Sequence, residues 1–105
     1  MRSDAPVESS VESHLRSRVK ALGGDCLKFV SPGNAGALDR LVLLPQGVIA
    51  FVELKRLGEA PAPLQERFIR RCHALGHLAF VASTVAGVDA LVTALEREMQ
   101  ERQRG

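Results

Sequence analysis

Three residues in this chain have side chains and spacing suited to metal-assisted chemistry. Glu53 and Lys55 end the run Val48-Ile49-Ala50-Phe51-Val52-Glu53-Leu54-Lys55, which is otherwise apolar. Two positions apart on an extended strand, they project to one side while Leu54 projects to the other. A carboxylate and an ammonium at the end of a buried segment are costly unless they are paired, bound to an ion or used in chemistry. Asp39 supplies the third group. Pro45-Gln46-Gly47 separates two apolar runs and signals a hairpin, and Asp39 and Glu53 each lie seven residues from Gln46. The two carboxylates are therefore expected close to cross-strand register, where they repel unless a proton or a cation lies between them. A hard divalent ion such as Mg²⁺ meets that need, because it takes oxygen ligands and keeps several waters. The plainer alternative is a surface ion pair between Glu53 and Lys55, with Asp39 an ordinary strand-entry aspartate.

The elements that must position these groups follow from the hydrophobic pattern. Val11, Leu15, Val19 and Leu22 form the stripe of an amphipathic helix, which Ser9 or Ser10 caps and Gly23-Gly24 ends. Asp25 to Val30 reads as a short strand, and Ser31 to Ala37, with one Pro and two Gly, as a loop. Leu38 to Leu44 and Gly47 to Lys55 form the hairpin. A second helix from Leu64 presents Leu64, Phe68, Cys72 and Leu75 on one face. His77 to Ser83 is a further strand. A last helix from Gly87 turns Val88, Leu91, Val92, Leu95 and Met99 inward and carries a charged tail expected to fray. The order is α-β-β-β-α-β-α. It predicts an α/β fold with a small mixed sheet flanked by helices, the third strand central and the third and fourth parallel.

The bulk composition narrows the class without naming a function. A chain of 105 residues with 46% hydrophobic and 25% charged residues is ordinary for a globular protein, and 105 residues favour one domain. With no Trp or Tyr and four Phe, aliphatic side chains must fill the core. A net charge of +2 does not by itself mark a nucleic-acid binder. Cys26 and Cys72 sit in apolar patterns without metal-ligand spacing, so both are expected as reduced, buried hydrophobes. His14, His73 and His77 likewise show no ligand spacing. No apolar run approaches the roughly 20 residues of a membrane span and the N-terminus has no signal region, so a cytoplasmic location in a bacterial or phage-infected cell is expected.

Asp39 followed by Glu53-x-Lys55 at the end of a buried strand resembles the motif of the PD-(D/E)xK (restriction endonuclease-like) superfamily. The resemblance extends to a VRR-NUC domain over about residues 8–100 of the 105. It is carried by Asp39-Arg40-Leu41-Val42, by "VELK" at positions 52–55, by a Gly-containing linker, by Gln65 near the start of the next helix and by Gly76 before the last strand. One departure is Leu38, where the family usually has Pro before the aspartate; its loss should alter rigidity and not ligation.

The resemblance implies a restriction endonuclease-like core and a DNA endonuclease dependent on Mg²⁺ or Mn²⁺, with no organic cofactor. Asp39 and Glu53 would ligate the ion, with the Leu54 carbonyl as a further oxygen and Glu12 nearby through water, Glu8 being its weaker substitute. Lys55 would orient or deprotonate the attacking water, and Gln65 would help hold the site. Lys28, Arg40 and Arg56, close to the site in sequence, are candidate phosphate contacts, and the loop beginning at Ser31 is a candidate backbone contact. The basic residues on the helices (Arg16, Arg18, Lys20, Arg67, Arg70, Arg71) read as solvated faces. Stand-alone members resemble Holliday-junction resolvases, which implies branched DNA and a homodimer. A flap or single-strand nuclease, or a catalytically silent DNA-binding module of the same fold, are the competing readings.

Overall fold

The computed structural model describes residues 4–33 and 36–105, with side chains of the first helix described from Ser10 onward. Asn34 and Ala35 of the predicted loop, and the side chains of Glu8 and Ser9, lie outside the described residues. Three helices, α1 (Asp4–Ala21), α2 (Pro63–Ala74) and α3 (Val85–Arg104), surround four strands, β1 (Asp25–Lys28), β2 (Arg40–Leu43), β3 (Ile49–Leu54) and β4 (Leu78–Ala82). The sheet order is β1-β2-β3-β4, with β1/β2 and β2/β3 antiparallel and β3/β4 parallel. This is the predicted α-β-β-β-α-β-α order with β3 inside the sheet. The charged groups at the end of β3 are thus mounted on its most constrained strand.

The element ends differ from the sequence reading most clearly at α1, β1 and α3. Helix α1 starts at Asp4, so Ser9 and Ser10 lie within it and do not cap it. Pro6 stands in its first turn, where a missing N–H costs nothing. Strand β1 stops at Lys28, although Phe29 N still donates to Asp39 O at 2.9 Å. Helix α3 begins at Val85 and runs to Arg104, through the charged tail. Thr84 caps its start, accepting from Gly87 N at 2.9 Å, and near its end Arg102 donates to Gly47 O at 2.7 Å.

Alternation along β3 divides the core into two. Ala50, Val52 and Leu54 face α1 and α3, packing with Val42, Ala82, Val11, Leu15, Val19, Val88, Leu91, Val92 and Leu95. Burying each of the larger of these side chains stabilises the fold by about 1.5–3 kcal/mol. Phe51 and Glu53 face the other side, where α2 covers a smaller cluster of Leu38, Cys72 and Ala79. There Phe29, Phe51 and Phe68 stack edge to face, with centroids 5.5 and 5.2 Å apart. Leu64 and Leu75, predicted inward on α2, are about half exposed (51% and 54%), because α2 packs mainly on β4 and does not reach across the sheet.

The hairpin that sets the β2/β3 register closes through one 3₁₀ turn, Pro45–Gly47. Leu44 N donates to Val48 O at 2.8 Å, and both Gln46 (φ 66°) and Gly47 (φ 71°) are left-handed. Gly47 adopts that conformation without cost, whereas Gln46 tolerates it. No helix among the described residues is long and apolar enough to cross a membrane.

Candidate active site

The strand register brings Asp39 to Glu53. Arg40 pairs with Val52, so one step back along β2 places Asp39 opposite Glu53, the neighbours expected from the turn at Gln46. The contact is direct: Asp39 N donates to Glu53 Oε1 at 3.2 Å. Glu53 is only 5% exposed, so its charge requires partners. The second comes from the same strand, where Lys55 Nζ lies 3.3 Å from Glu53 Oε2. The i, i+2 spacing read in the sequence thus gives an ion pair on the α2 side of the sheet.

Asp39 is held from three sides. Its carbonyl accepts from Phe29 N, its amide is spent on Glu53, and the preceding Leu38 is fully buried beneath α2. Leu38 secures by burial what a proline ring would secure by fixing φ. Gly36 allows the approach, since a Cβ there would lie 2.5 Å from Leu64 O at the start of α2. The Asp39 carboxyl, about half exposed, has its pKa raised. Burial is the main cause and the charge of Glu53 the next, with Arg40 and Lys28 opposing them. A carboxylate in such a position gains from a cation.

The donor set fits a hard divalent ion. Two carboxylates meet at one strand end, and Lys55 N donates to Ala82 O on the β4 side at 3.0 Å. Because backbone groups alternate along a strand, the Leu54 carbonyl turns to the opposite edge, towards Asp39. Asp39, Glu53 and the Leu54 carbonyl offer oxygens only, as Mg²⁺ or Mn²⁺ prefers. No group of three or more His, Cys, Asp or Glu side chains among the described residues is arranged around a common ion. Two side chains and one carbonyl are the donors that gather here among the described residues.

The remaining predicted residues fall into three groups. Glu12 on α1 lies near the site but is bound to Arg40, Oε2 to Nη2 at 3.0 Å, and only distantly to Arg16 at 4.0 Å. Gln65 accepts from Ala62 N at 3.0 Å, a capping interaction at the start of its own helix and not a bond to the carboxylates. Arg40, expected as a phosphate contact, is instead buried at 8% exposed, because it shares parity with Val42 and turns towards α1. Its guanidinium contacts Glu12, the Asp39 carboxylate (Nη1 to Oδ2, 3.5 Å) and the Asp39 carbonyl (3.3 Å). Lys28 is exposed next to Arg40 in the β1/β2 register, within electrostatic reach of Asp39. Ser31 and Arg56 are partly exposed, and Arg56 N donates to Glu59 Oε1 at 3.3 Å. Arg40 as an internal cation was missed, although parity with Val42 was available as the signal.

The fold has a solved counterpart. Superposed on a structure described as "VRR_NUC domain", the chain gives a TM-score of 0.77 at 39% identity, over 82% of this chain and 94% of the other. The chain belongs to the VRR-NUC family. A relative in sequence, "Putative nuclease p44" of Acyrthosiphon pisum secondary endosymbiont phage 1, is 54% identical over 74 residues, covering 70% of this chain and 80% of that protein. No family profile matches the sequence. The VRR-NUC fold accounts for the mixed sheet and for the α-β-β-β-α-β-α order.

Proposed function

We propose that the protein is a nuclease that hydrolyses DNA phosphodiester bonds with a divalent ion, Mg²⁺ or Mn²⁺, held by Asp39, Glu53 and the Leu54 carbonyl. The observation that carries this reading is the pairing of Asp39 with buried Glu53, with Lys55 on the same face. When bound, the ion supplies charge neutralisation at the scissile phosphate and acidifies water. The chain supplies the rest. Glu53 is immobilised by the Asp39 amide and by Lys55, so its oxygens need little reorganisation. Once its carboxylate partner is shared, the Lys55 ammonium is available beside the phosphate to orient water and to stabilise developing negative charge. Exposed Lys28 and partly exposed Ser31 and Arg56 would meet the sugar-phosphate backbone in this reading, a role their exposure supports.

Branched DNA of the four-way-junction kind is the preferred substrate in this reading, cut by a homodimer acting in the cytoplasm. Each chain carries one strand-end site, and paired cuts need two. The sheet face left open by α2 supports self-association. There Ile49 is 50% exposed, and Phe51, Phe68, Cys72, Leu75 and His77 line a groove of about 380 Å³ with it. A contiguous apolar surface of this kind is a common protein contact site.

Labelled four-way junction, flap, duplex and single-strand DNA, incubated with Mg²⁺ or Mn²⁺ and with chelator, test the reading. Symmetric nicks across the junction, lost in chelator and in both Glu53→Ala and Lys55→Ala, are expected. No cleavage of any substrate, or cleavage that persists in both variants, contradicts the site. Preference for flap or single-strand DNA would replace the junction reading and keep the chemistry. Light scattering should give the mass of two chains for the parent and of one chain for Ile49→Lys; a monomeric parent contradicts the dimer.

A further inference from the structure

The strand end already contains an organic cation between two of its carboxylates. Arg40 follows Asp39 directly, so strand alternation turns its side chain to the α1 side of the sheet. There the guanidinium bridges Glu12 and Asp39, with Nη2 3.0 Å from Glu12 Oε2 and Nη1 3.5 Å from Asp39 Oδ2. The Asp39 carbonyl lies 3.3 Å from the same Nη1. The side chain is buried, and its Nε has no hydrogen-bond partner among the described residues. A buried guanidinium anchored through both Nη atoms cannot turn to a substrate without leaving Glu12 and Asp39 uncompensated.

The charges near the site limit what else it can take. Within the bonded group, Glu12, Asp39 and Glu53 carry three negative charges and Arg40 and Lys55 two positive ones, and Lys28 adds positive charge within reach of Asp39. One divalent ion leaves the group with a net charge of about +1 and a second would raise it to about +3, with no further carboxylate gathered there among the described side chains to receive it. Glu12 would be the natural ligand for that second ion, and it is taken.

We propose that this site binds a single divalent ion per chain, on Asp39 and Glu53, and that the Arg40 guanidinium fills the position of a second cation between Glu12 and Asp39. The inference rests on the metal-site reading above and assigns residues within it. It makes Arg40 a positioning residue: it neutralises the α1 side of Asp39, fixes its backbone carbonyl and leaves the carboxylate's other side for the ion. Glu12 then acts on the site through Arg40 and not as a ligand.

Calorimetric titration of the purified protein with Mn²⁺ alone, without DNA, measures the stoichiometry directly, with circular dichroism confirming the fold of each variant. The parent and Glu12→Gln are each expected to bind about one ion per chain. Arg40→Met is expected to gain a second ion, which the double variant with Glu12→Gln loses again. Two ions on the parent, or loss of an ion in Glu12→Gln alone, overturn the inference and leave the metal-site reading intact. A folded Arg40→Met that still binds one ion also overturns it. If Arg40→Met does not fold, the parent and Glu12→Gln stoichiometries decide. No Mn²⁺ binding by the parent overturns the metal-site reading itself, and this inference with it.

Discussion

The two faces of the sheet are built on different terms. Towards α1 and α3, aliphatic side chains interlock into a continuous core, with Leu15, Val19, Val92 and Leu95 fully buried. Towards α2, burial is thinner: three buried residues and a ladder of Phe rings, beside half-exposed Ile49, Leu64 and Leu75. The charged strand end stands on this second face, where Glu53 and Lys55 interrupt what would otherwise be packing. In the proposed reading, stability and chemistry are separated across one layer of strands, and alternation along β3 assigns each residue to one or the other. Arg40 is the exception, a charge on the packing face that ties Glu12 of α1 to Asp39.

That separation yields graded expectations. Glu53→Gln, on the open face, should lower cleavage about a thousandfold, or about 4 kcal/mol of transition-state stabilisation, while the urea midpoint stays close to the parent value. A variant that unfolds in parallel would break the comparison. Leu15→Ala, on the closed face, should do the reverse, costing about 3 kcal/mol in urea unfolding with cleavage by the folded fraction retained. Leu75→Ala, half exposed on the open face, should change stability by no more than about 0.5 kcal/mol in the monomer.

The smallest expected effect is in pH dependence. Because burial and Glu53 raise the Asp39 pKa, the folded state holds this proton to higher pH than the unfolded chain. In chelator, stability of the parent relative to Asp39→Asn should therefore fall as pH rises from the usual aspartate value to the raised one, then level off. Thermal melts across that range check the sign. A relative gain with rising pH would show that Arg40 and Lys28 dominate at Asp39.

Much of this arrangement was legible in the residues. The turn at Pro45-Gln46-Gly47 and the equal spacing of Asp39 and Glu53 from it set the register, and period-two alternation placed Lys55 with Glu53. The helical stripes of α1 and α3, read at a period of about 3.6, matched the buried Val11, Leu15, Val19, Val88, Leu91, Val92 and Leu95, with Leu22 and Met99 partly buried at their ends. What could not be read were side-chain choices among nearby partners. Gln65 bonds to its own helix start because Ala62 N is three residues away and otherwise uncapped. Glu12 pairs with Arg40 because a strand residue and a helix residue distant in sequence meet only after folding. The exposure of Leu64 and Leu75 depends on how far α2 reaches across the sheet, which no periodicity in α2 encodes.

The central claim is that Asp39 and Glu53 together form the cation site on the open face. Crystals soaked in Mn²⁺ and measured at the manganese absorption edge locate the ion without reference to activity. An anomalous peak between the Asp39 and Glu53 carboxylates, absent in Asp39→Asn, is the predicted result. Well-ordered crystals with no peak there, or with manganese bound only elsewhere, would contradict it.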